Sequence, residues 1–287
     1  MVKTRNILIT GGDGQLGKSI KKNSINYNYN FFFMSRNRLD ITNSSNLKKV
    51  LDKLKVDTII NCAAYTDVNK AEIEKKTSKL INFEAVGFLA KYCCEKKIQL
   101  IHISTDYVFD GNKKVPYLES DKKNPVNFYG ITKAEGENIF LKYKLKNSII
   151  IRTSWLYSEF NYNFINQIID KVKTNKNIEI TTEETGSLTN ANDLAKVIIE
   201  ILPKIQSKVP EIYHFSNSGF STRFEIAYKI NELLNGSSKV EYNNKYDKKV
   251  IRPKFSALDS NKICNRFNIN NHNWLDSLKV YLKYYQN

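Results

Sequence analysis

The chain of 287 residues is short of the residue types that build metal centres, disulfide scaffolds and membrane spans. It has 4 Cys and 3 His. Cys62, Cys93, Cys94 and Cys264 form no C-x-x-C pair and the histidines lack metal-ligand spacing, so no metal site is expected. Cys93 and Cys94 fall in a helical stretch and read as buried, reduced thiols. No apolar run approaches the roughly 18–20 residues that cross a bilayer. Residues 1–5 lead into only Ile7, Leu8 and Ile9 before glycines begin, which is too short for a secretory signal. A cytoplasmic protein without a membrane partner is expected. Acidic residues are scarce beside basic ones, 29 against 45, giving a net charge of +16. Only 7 of those 45 are Arg, the side chain suited to bidentate phosphate and base recognition, and no five like charges run together. A nucleic-acid partner is therefore not expected. Disorder is excluded by a content of 41% hydrophobic and 12% aromatic residues.

What the chain does have is alternation. Apolar strands are expected at 6–10, 31–34, 57–64, 99–104 and 148–153, with helical patterns at 44–55, 70–97 and 129–143 between them. Strands that are apolar throughout belong to a sheet covered on both faces. The fold class is α/β, a doubly wound parallel sheet of Rossmann type with a smaller C-terminal substrate-binding lobe. Residues 1–155 should be mainly the dinucleotide-binding domain. Residues 156–287, with helical stretches at 161–173, 192–204, 223–234 and 275–285, should be mainly the lobe, with segments returning to the first domain.

Directly after the first strand comes G-G-D-G-Q-L-G, residues 11–17, which fits G-x-x-G-x-x-G through Gly11, Gly14 and Gly17. Glycines at this spacing permit a tight turn and let backbone N–H groups approach a pyrophosphate at a helix N-terminus. With so few glycines in the chain, chance supplies such a triplet only about 0.02 times. At the end of the second strand an acidic residue would bind a ribose 2′-hydroxyl. This chain has Ser35 and Arg36 there, which suit a 2′-phosphate and favour NADPH, with NADH possible. Asp40 and Ile41 follow and would frame the adenine.

Tyr129 and Lys133 form Y-x-x-x-K, a spacing that puts both on one face of a helix, where a cation lowers the phenol pKa and makes it a proton donor. The motif alone is weak, because chance supplies about 2 copies in so Tyr- and Lys-rich a chain. A second copy, Tyr92 and Lys96, is read as structural. Context separates them: Thr105 ends the fourth strand, where an open α/β sheet places its ligand. Thr105, Tyr129 and Lys133 together make a carbonyl-reduction site.

S-T-D-Y-V-F-D-G (104–111), P-Y-x-E (116–119), N-P-x-N-x-Y-G (124–130) and K-A-E-G-E (133–137) resemble the dTDP-4-dehydrorhamnose reductases, which are extended short-chain dehydrogenase/reductases. The likeness continues through G-Q-L-G (14–17), L-D-I-T (39–42), N-C-A-A-Y-T (61–66), R-T-S-W-L-Y (152–157), D-L-A (193–195) and R-P-K-x-S-A-L-D (252–259). It implies NAD(P)H-dependent reduction of the 4-keto group of a dTDP-6-deoxy-hexulose, giving dTDP-L-rhamnose for surface polysaccharides. On that likeness Tyr129 is the proton donor, Lys133 holds the nicotinamide ribose, and Thr105 binds the substrate carbonyl. Gly14, Gln15 and Leu16 hold pyrophosphate, while Ala63, Ala64 and Tyr65 line the cofactor cleft with Asp40 and Ile41. Asp106 and Trp155 match positions that touch the sugar nucleotide. Two departures stand out. G-S-L-T at 186–189 lacks the usual third-position proline. Ser19 replaces a glutamate that bridges a metal-linked dimer in some members, so neither metal nor dimer is carried over, and monomer and homodimer both stay open. The alternatives are a reductase of another nucleotide-linked 4-keto-6-deoxy sugar and a non-catalytic, cofactor-binding regulatory homologue.

Overall fold

Six short segments make one parallel sheet: β1 (Asn6–Thr10), β2 (Asn30–Met34), β3 (Thr58–Asn61), β4 (Gln99–Thr105), β5 (Ile149–Thr153) and β6 (Glu211–His214). These come from a computed structural model that describes residues 4–181, 183–243 and 250–285. The spatial order is β2-β1-β3-β4-β5-β6, so the direction of winding reverses between β1 and β3. The longer helices of the first half, among the described residues, are α1 (Gln15–Asn23), α2 (Ser44–Leu54), α3 (Ala85–Lys96) and α4 (Phe128–Lys142). Five more lie beyond β5: α5 (Phe164–Lys173), α6 (Ala191–Ile201), α7 (Arg223–Leu233), α8 (Asn261–Phe267) and α9 (Trp274–Leu282).

Successive strand side chains point to opposite faces, and here both faces are buried. Ile7, Ile9, Ile60, Ile101 and Ile151 enter one core with Leu16 and Ile20 of α1, Leu194 and Ile198 of α6, and Ile263 and Phe267 of α8. Leu8, Ile59, Leu100 and Ile150 enter the other, with Leu47 and Leu51 of α2, Leu89 of α3 and Phe140 of α4. The doubly wound sheet expected from the strand pattern is what forms. A third core joins α5, α7 and α9 through Ile165, Ile169, Ile226, Ile230, Leu278 and Tyr281. The chain beyond residue 156 is thus shared between this separate core and the sheet.

Local details depart from the sequence pattern. β6 is a four-residue strand and leaves too short a signal to read. The third strand stops at Asn61 rather than at 64, because residues 62–64 turn over the end of the sheet. The helical stretch 70–97 is broken into Val68–Ala71, Lys75–Lys79, a π-helical turn Leu80–Glu84, and α3. Gly136 of α4 lets the Asn82 carbonyl of that turn approach closely, since a Cβ there would collide with it. Cys93 is buried as expected, but Cys94 is exposed, because adjacent residues of a helix diverge by about 100°.

Candidate functional site

The glycine turn closes the crevice at the reversal point, where open α/β sheets bind their ligands. Gly11 has φ +63°, and a Cβ on it would lie 2.8 Å from the Ala63 nitrogen at the end of β3. A Cβ on Gly17 would lie 2.7 Å from Gly12 Cα. The turn is held by Gly14 N–H to Gly11 O (2.9 Å) and Gly12 N–H to Met34 O (2.8 Å). No side chain caps α1 at Gly14, which leaves its leading N–H groups to an anion.

This turn forms one wall of a cleft of about 930 Å³, and nearly all of the expected site residues line it. Gly11, Gly14, Gln15, Leu16 and Gly17 are there, with Arg36, Asp40 and Ile41 from the β2 end and Ala63, Ala64 and Tyr65 from the β3 end. Thr105, Asp106, Tyr129, Lys133 and Trp155 complete it. Ser35 is the exception and does not line the cleft. Its carbonyl accepts from the Arg38 (3.1 Å) and Leu39 (2.9 Å) nitrogens and shapes the turn instead. Asp40 accepts from Thr42 N (2.9 Å) and Oγ1 (2.7 Å), and these bonds, with Arg36 nearby, keep its carboxyl below the usual range. Gln15 Oε1 accepts from Ser158 Oγ and Asn163 Nδ2, both at 3.1 Å, so it also ties the turn to the loop beyond β5.

β4 ends at Thr105, and α4 begins beside it, capped by Asn127 Oδ1 accepting from Gly130 N (2.8 Å). This start puts Tyr129 and Lys133 on the inward face, 8% and 1% exposed. Lys133 Nζ donates to Ile103 O at 2.7 Å, and burial pulls its pKa down to about 8. The phenol of Tyr129 shifts opposite to the sequence-based expectation. Burial raises its pKa and outweighs the Thr105 hydroxyl, which acts to lower it, while the Lys133 ammonium is engaged with the Ile103 carbonyl. Tyr129 is therefore a neutral phenol. Thr105 Oγ1 accepts from Tyr107 N (3.2 Å) and donates to Asp106 Oδ1 (3.0 Å).

Beneath these groups lies a buried ionic knot the sequence did not reveal. Glu137, one turn beyond Lys133, accepts from Ser104 Oγ (2.7 Å) and from Arg152 Nε and Nη2 (both 2.8 Å). Lys123 adds a contact at 3.1 Å, and Arg152 Nη1 lies 3.2 Å from His214 Nε2. Burial would raise the Glu137 pKa, but the hydrogen bonds and charge of Arg152 win and hold it at about 2. The knot fixes α4 against the end of β4.

Across the cleft, Trp155 sits at a left-handed φ of +39°. Its indole packs on Gly186, where a Cβ would lie 2.7 Å from the ring. The Arg223 guanidinium stands 4.4 Å above that ring and 4.9 Å from Phe164, and its Nε donates to Glu184 Oε2 at 2.9 Å. Arg223, Arg252, Ser154 and Tyr107 line the cleft without having been singled out. Tyr107, Ser154 and Arg252 fall within the quoted motifs at 104–111, 152–157 and 252–259, whereas for Arg223 the available signal is that it is one of only seven arginines. A second cavity of about 650 Å³ lies at the other end of the strands, around Asp57, Gln99 and Lys146, away from these groups. Among the described residues no three or more His, Cys, Asp or Glu are placed to hold a metal ion. None of the described helices is long and apolar enough to cross a membrane.

A glycine turn at the reversal point of a parallel sheet, facing a buried Tyr-x-x-x-Lys helix and a strand-end threonine, defines a dinucleotide-binding α/β protein of the short-chain dehydrogenase/reductase type. The chain belongs to the family described as the RmlD substrate binding domain, whose model matches residues 5–287. It is similar to the dTDP-4-dehydrorhamnose reductase of Aggregatibacter actinomycetemcomitans, 34% identical over 95% of this chain and 97% of that protein. It is 31% identical to the spore coat polysaccharide biosynthesis protein SpsK of Bacillus subtilis, over 96% of each. The crystal structure of dTDP-4-dehydrorhamnose reductase from Bacillus anthracis in complex with NADP superposes with a TM-score of 0.92 at 30% identity, covering 98% of this chain and 100% of that one.

Proposed function

We propose that this protein is an NADPH-dependent oxidoreductase that reduces the 4-keto group of dTDP-4-dehydro-6-deoxy-L-mannose (dTDP-4-dehydrorhamnose) to dTDP-L-rhamnose, for surface polysaccharide synthesis in the cytoplasm. The convergence of Thr105, Tyr129 and Lys133 on the cleft closed by the glycine turn carries this reading. The relatives named above support the substrate and the cofactor.

The cleft fits a dinucleotide. The turn packs too tightly against Ala63 and against itself to carry side chains at Gly11 and Gly17, and the uncapped α1 terminus, with Gln15 and Leu16, would hold the pyrophosphate. Arg36 would meet a 2′-phosphate, and NADH would enter the same cleft without that contact. Asp40, Ile41, Ala63, Ala64 and Tyr65 would line the remainder. A bound nicotinamide supplies the hydride for the ketone carbon. Tyr129, kept neutral by burial, donates its proton to the ketone oxygen. The sugar alkoxide is a far stronger base than phenolate, so a raised phenol pKa does not prevent the transfer. Lys133 would hold the nicotinamide ribose and offer its charge to the phenolate left behind. Thr105 polarises the carbonyl. Asp106 and Trp155 contact the sugar nucleotide, and residues 156–287 supply most of the substrate-binding lobe.

The test is NADPH consumption followed at 340 nm across a panel of nucleotide-linked 4-keto-6-deoxy sugars. Turnover is expected with dTDP-4-dehydrorhamnose. Faster turnover of a different keto sugar moves the substrate assignment. NADPH binding without turnover of any panel member overturns the reductase reading in favour of a regulatory one.

A further inference from the structure

The Thr105 hydroxyl has one proton and two lone pairs to offer. Its proton lies on Asp106 Oδ1 at 3.0 Å, and one lone pair receives the Tyr107 N–H at 3.2 Å. A hydroxyl already donating to a carboxylate has no proton for a ketone oxygen. Turning it toward substrate would strip Asp106 Oδ1 of that donor. Asp106 is 2% exposed, and Thr105 makes the one close side-chain hydrogen bond to it among the described residues, while Ser256 steadies its charge without a close contact to Oδ2. A buried carboxylate losing its donors is strongly disfavoured.

We propose that Asp106 is a neutral acid in the productive complex and donates to Thr105, which makes it the positioning residue that frees the Thr105 proton for the substrate carbonyl. The inference rests on the reductase reading above. With Asp106 protonated, Thr105 Oγ1 accepts from Tyr107 N–H and from Asp106 O–H, filling both lone pairs. Its own proton then points at the ketone oxygen. Asp106 keeps its proton throughout, and the proton transferred to product is that of Tyr129.

The surroundings of Asp106 balance close to this state. Thr105 and Tyr107 face it from its own segment, Tyr129 from α4, Arg223 from the start of α7 and Ser256 from the stretch before α8. Arg252 and Glu184 act on the neighbouring Tyr107. Burial favours the acid and outweighs Ser256, Thr105 and Arg223, lifting the Asp106 carboxyl to about 6. Closure of the cleft over a sugar nucleotide removes further water and shifts it in the same direction.

The experiment compares pH profiles of kcat for the wild type, Asp106→Asn and Asp106→Ala, with dTDP-4-dehydrorhamnose and NADPH saturating. The wild type should lose activity by at least about fivefold as Asp106 ionises, with a second fall where Lys133 deprotonates. Asp106→Asn carries an amide N–H that donates to Thr105 at every pH. It should exceed Asp106→Ala by at least about tenfold and show only the second fall. Asp106→Asn as impaired as Asp106→Ala, or profiles of one shape in wild type and Asp106→Asn, would overturn the proposal. NADPH affinity and melting temperature, unchanged in both variants, exclude a folding defect. A protonated-carboxyl infrared band at pH 7 on adding NADP⁺ and dTDP-L-rhamnose, missing in Asp106→Asn, reads the proton without turnover, and its absence from the wild type contradicts the proposal. Failure of every ketone to turn over while that band appears would sink the reductase reading alone.

Discussion

Tyr92 and Lys96 on α3 repeat the spacing of Tyr129 and Lys133 on α4, yet the two pairs do different things. The Tyr92 hydroxyl donates to Asp52 Oδ1 at 2.9 Å, and Lys96 Nζ lies 3.1 Å from the same carboxylate, so this pair clamps α3 to α2. Tyr129 and Lys133 instead face the cleft, beside Thr105 and the Ile103 carbonyl. Burial is the largest cause raising both phenols. The third partner differs: an aspartate of the neighbouring helix for one, a strand-end hydroxyl at the ligand crevice for the other. Helical spacing guarantees only that a tyrosine and a lysine share a face. The fold decides what that face meets.

Phenylalanine at each tyrosine breaks the comparison most sharply. Tyr129→Phe should lower kcat by about 10²–10⁴-fold while retaining NADPH binding, because only the proton donor is lost. Tyr92→Phe should keep kcat within about twofold and lower the melting temperature by no more than about 2–4 °C, as expected for one lost hydrogen bond. Steady-state kinetics and thermal melts of the two variants decide it.

The supports beneath the two pairs differ in the same sense. Glu137 sits at about 2 in the folded chain against an ordinary 4.5, so it contributes stability that is complete above the ordinary value and is lost as pH falls toward the folded one. That contribution is on the order of 3 kcal/mol. Glu137→Gln, which leaves Arg152 buried without its carboxylate, should cost about 3–5 kcal/mol at neutral pH and flatten the acid limb in urea titrations. Asp52→Asn should change that limb far less, because Tyr92 and Lys96 lower its carboxyl at a site screened by water.

The two walls of the cleft can be separated by their glycines. Gly17→Ala intrudes on the backbone of the glycine turn and should weaken NADPH binding by more than about tenfold. Gly186→Ala pushes on the Trp155 ring and should raise KM for the sugar nucleotide by about fivefold, with NADPH affinity intact. Arg36→Ala should lose about threefold to tenfold in the preference for NADPH over NADH. Fluorescence titrations with each cofactor measure the Gly17 and Arg36 effects, and steady-state kinetics the Gly186 effect.

Much of this architecture was legible in the residues. Ile7, Leu8 and Ile9 read as a doubly buried strand, and the three glycines after it as a tight turn facing a helix. Thr105, Tyr129 and Lys133 were legible because their positions relative to strand ends are local. The lobe wall was not. Trp155, Arg223 and the pair Glu184 and Gly186 come together from three separate segments, and their meeting depends on packing rather than spacing. The direction of the Tyr129 shift was hidden for a related reason. A lysine four residues away suggests a lowered pKa, but the Ile103 carbonyl holds that lysine and burial dominates. Who receives the Thr105 proton was equally invisible, because adjacent Thr and Asp residues have many possible arrangements.

Isotope transfer tests the central claim most directly. NADPH carrying deuterium at both C4 positions of the nicotinamide is incubated with dTDP-4-dehydrorhamnose and the wild type, Tyr92→Phe or Tyr129→Phe protein, and the sugar is analysed by NMR and mass spectrometry. One deuterium at sugar C4, appearing at matching rates with the wild type and Tyr92→Phe and at least about a hundredfold more slowly with Tyr129→Phe, is the result the account predicts. Equal rates in all three, or deuterium absent from C4, would contradict it.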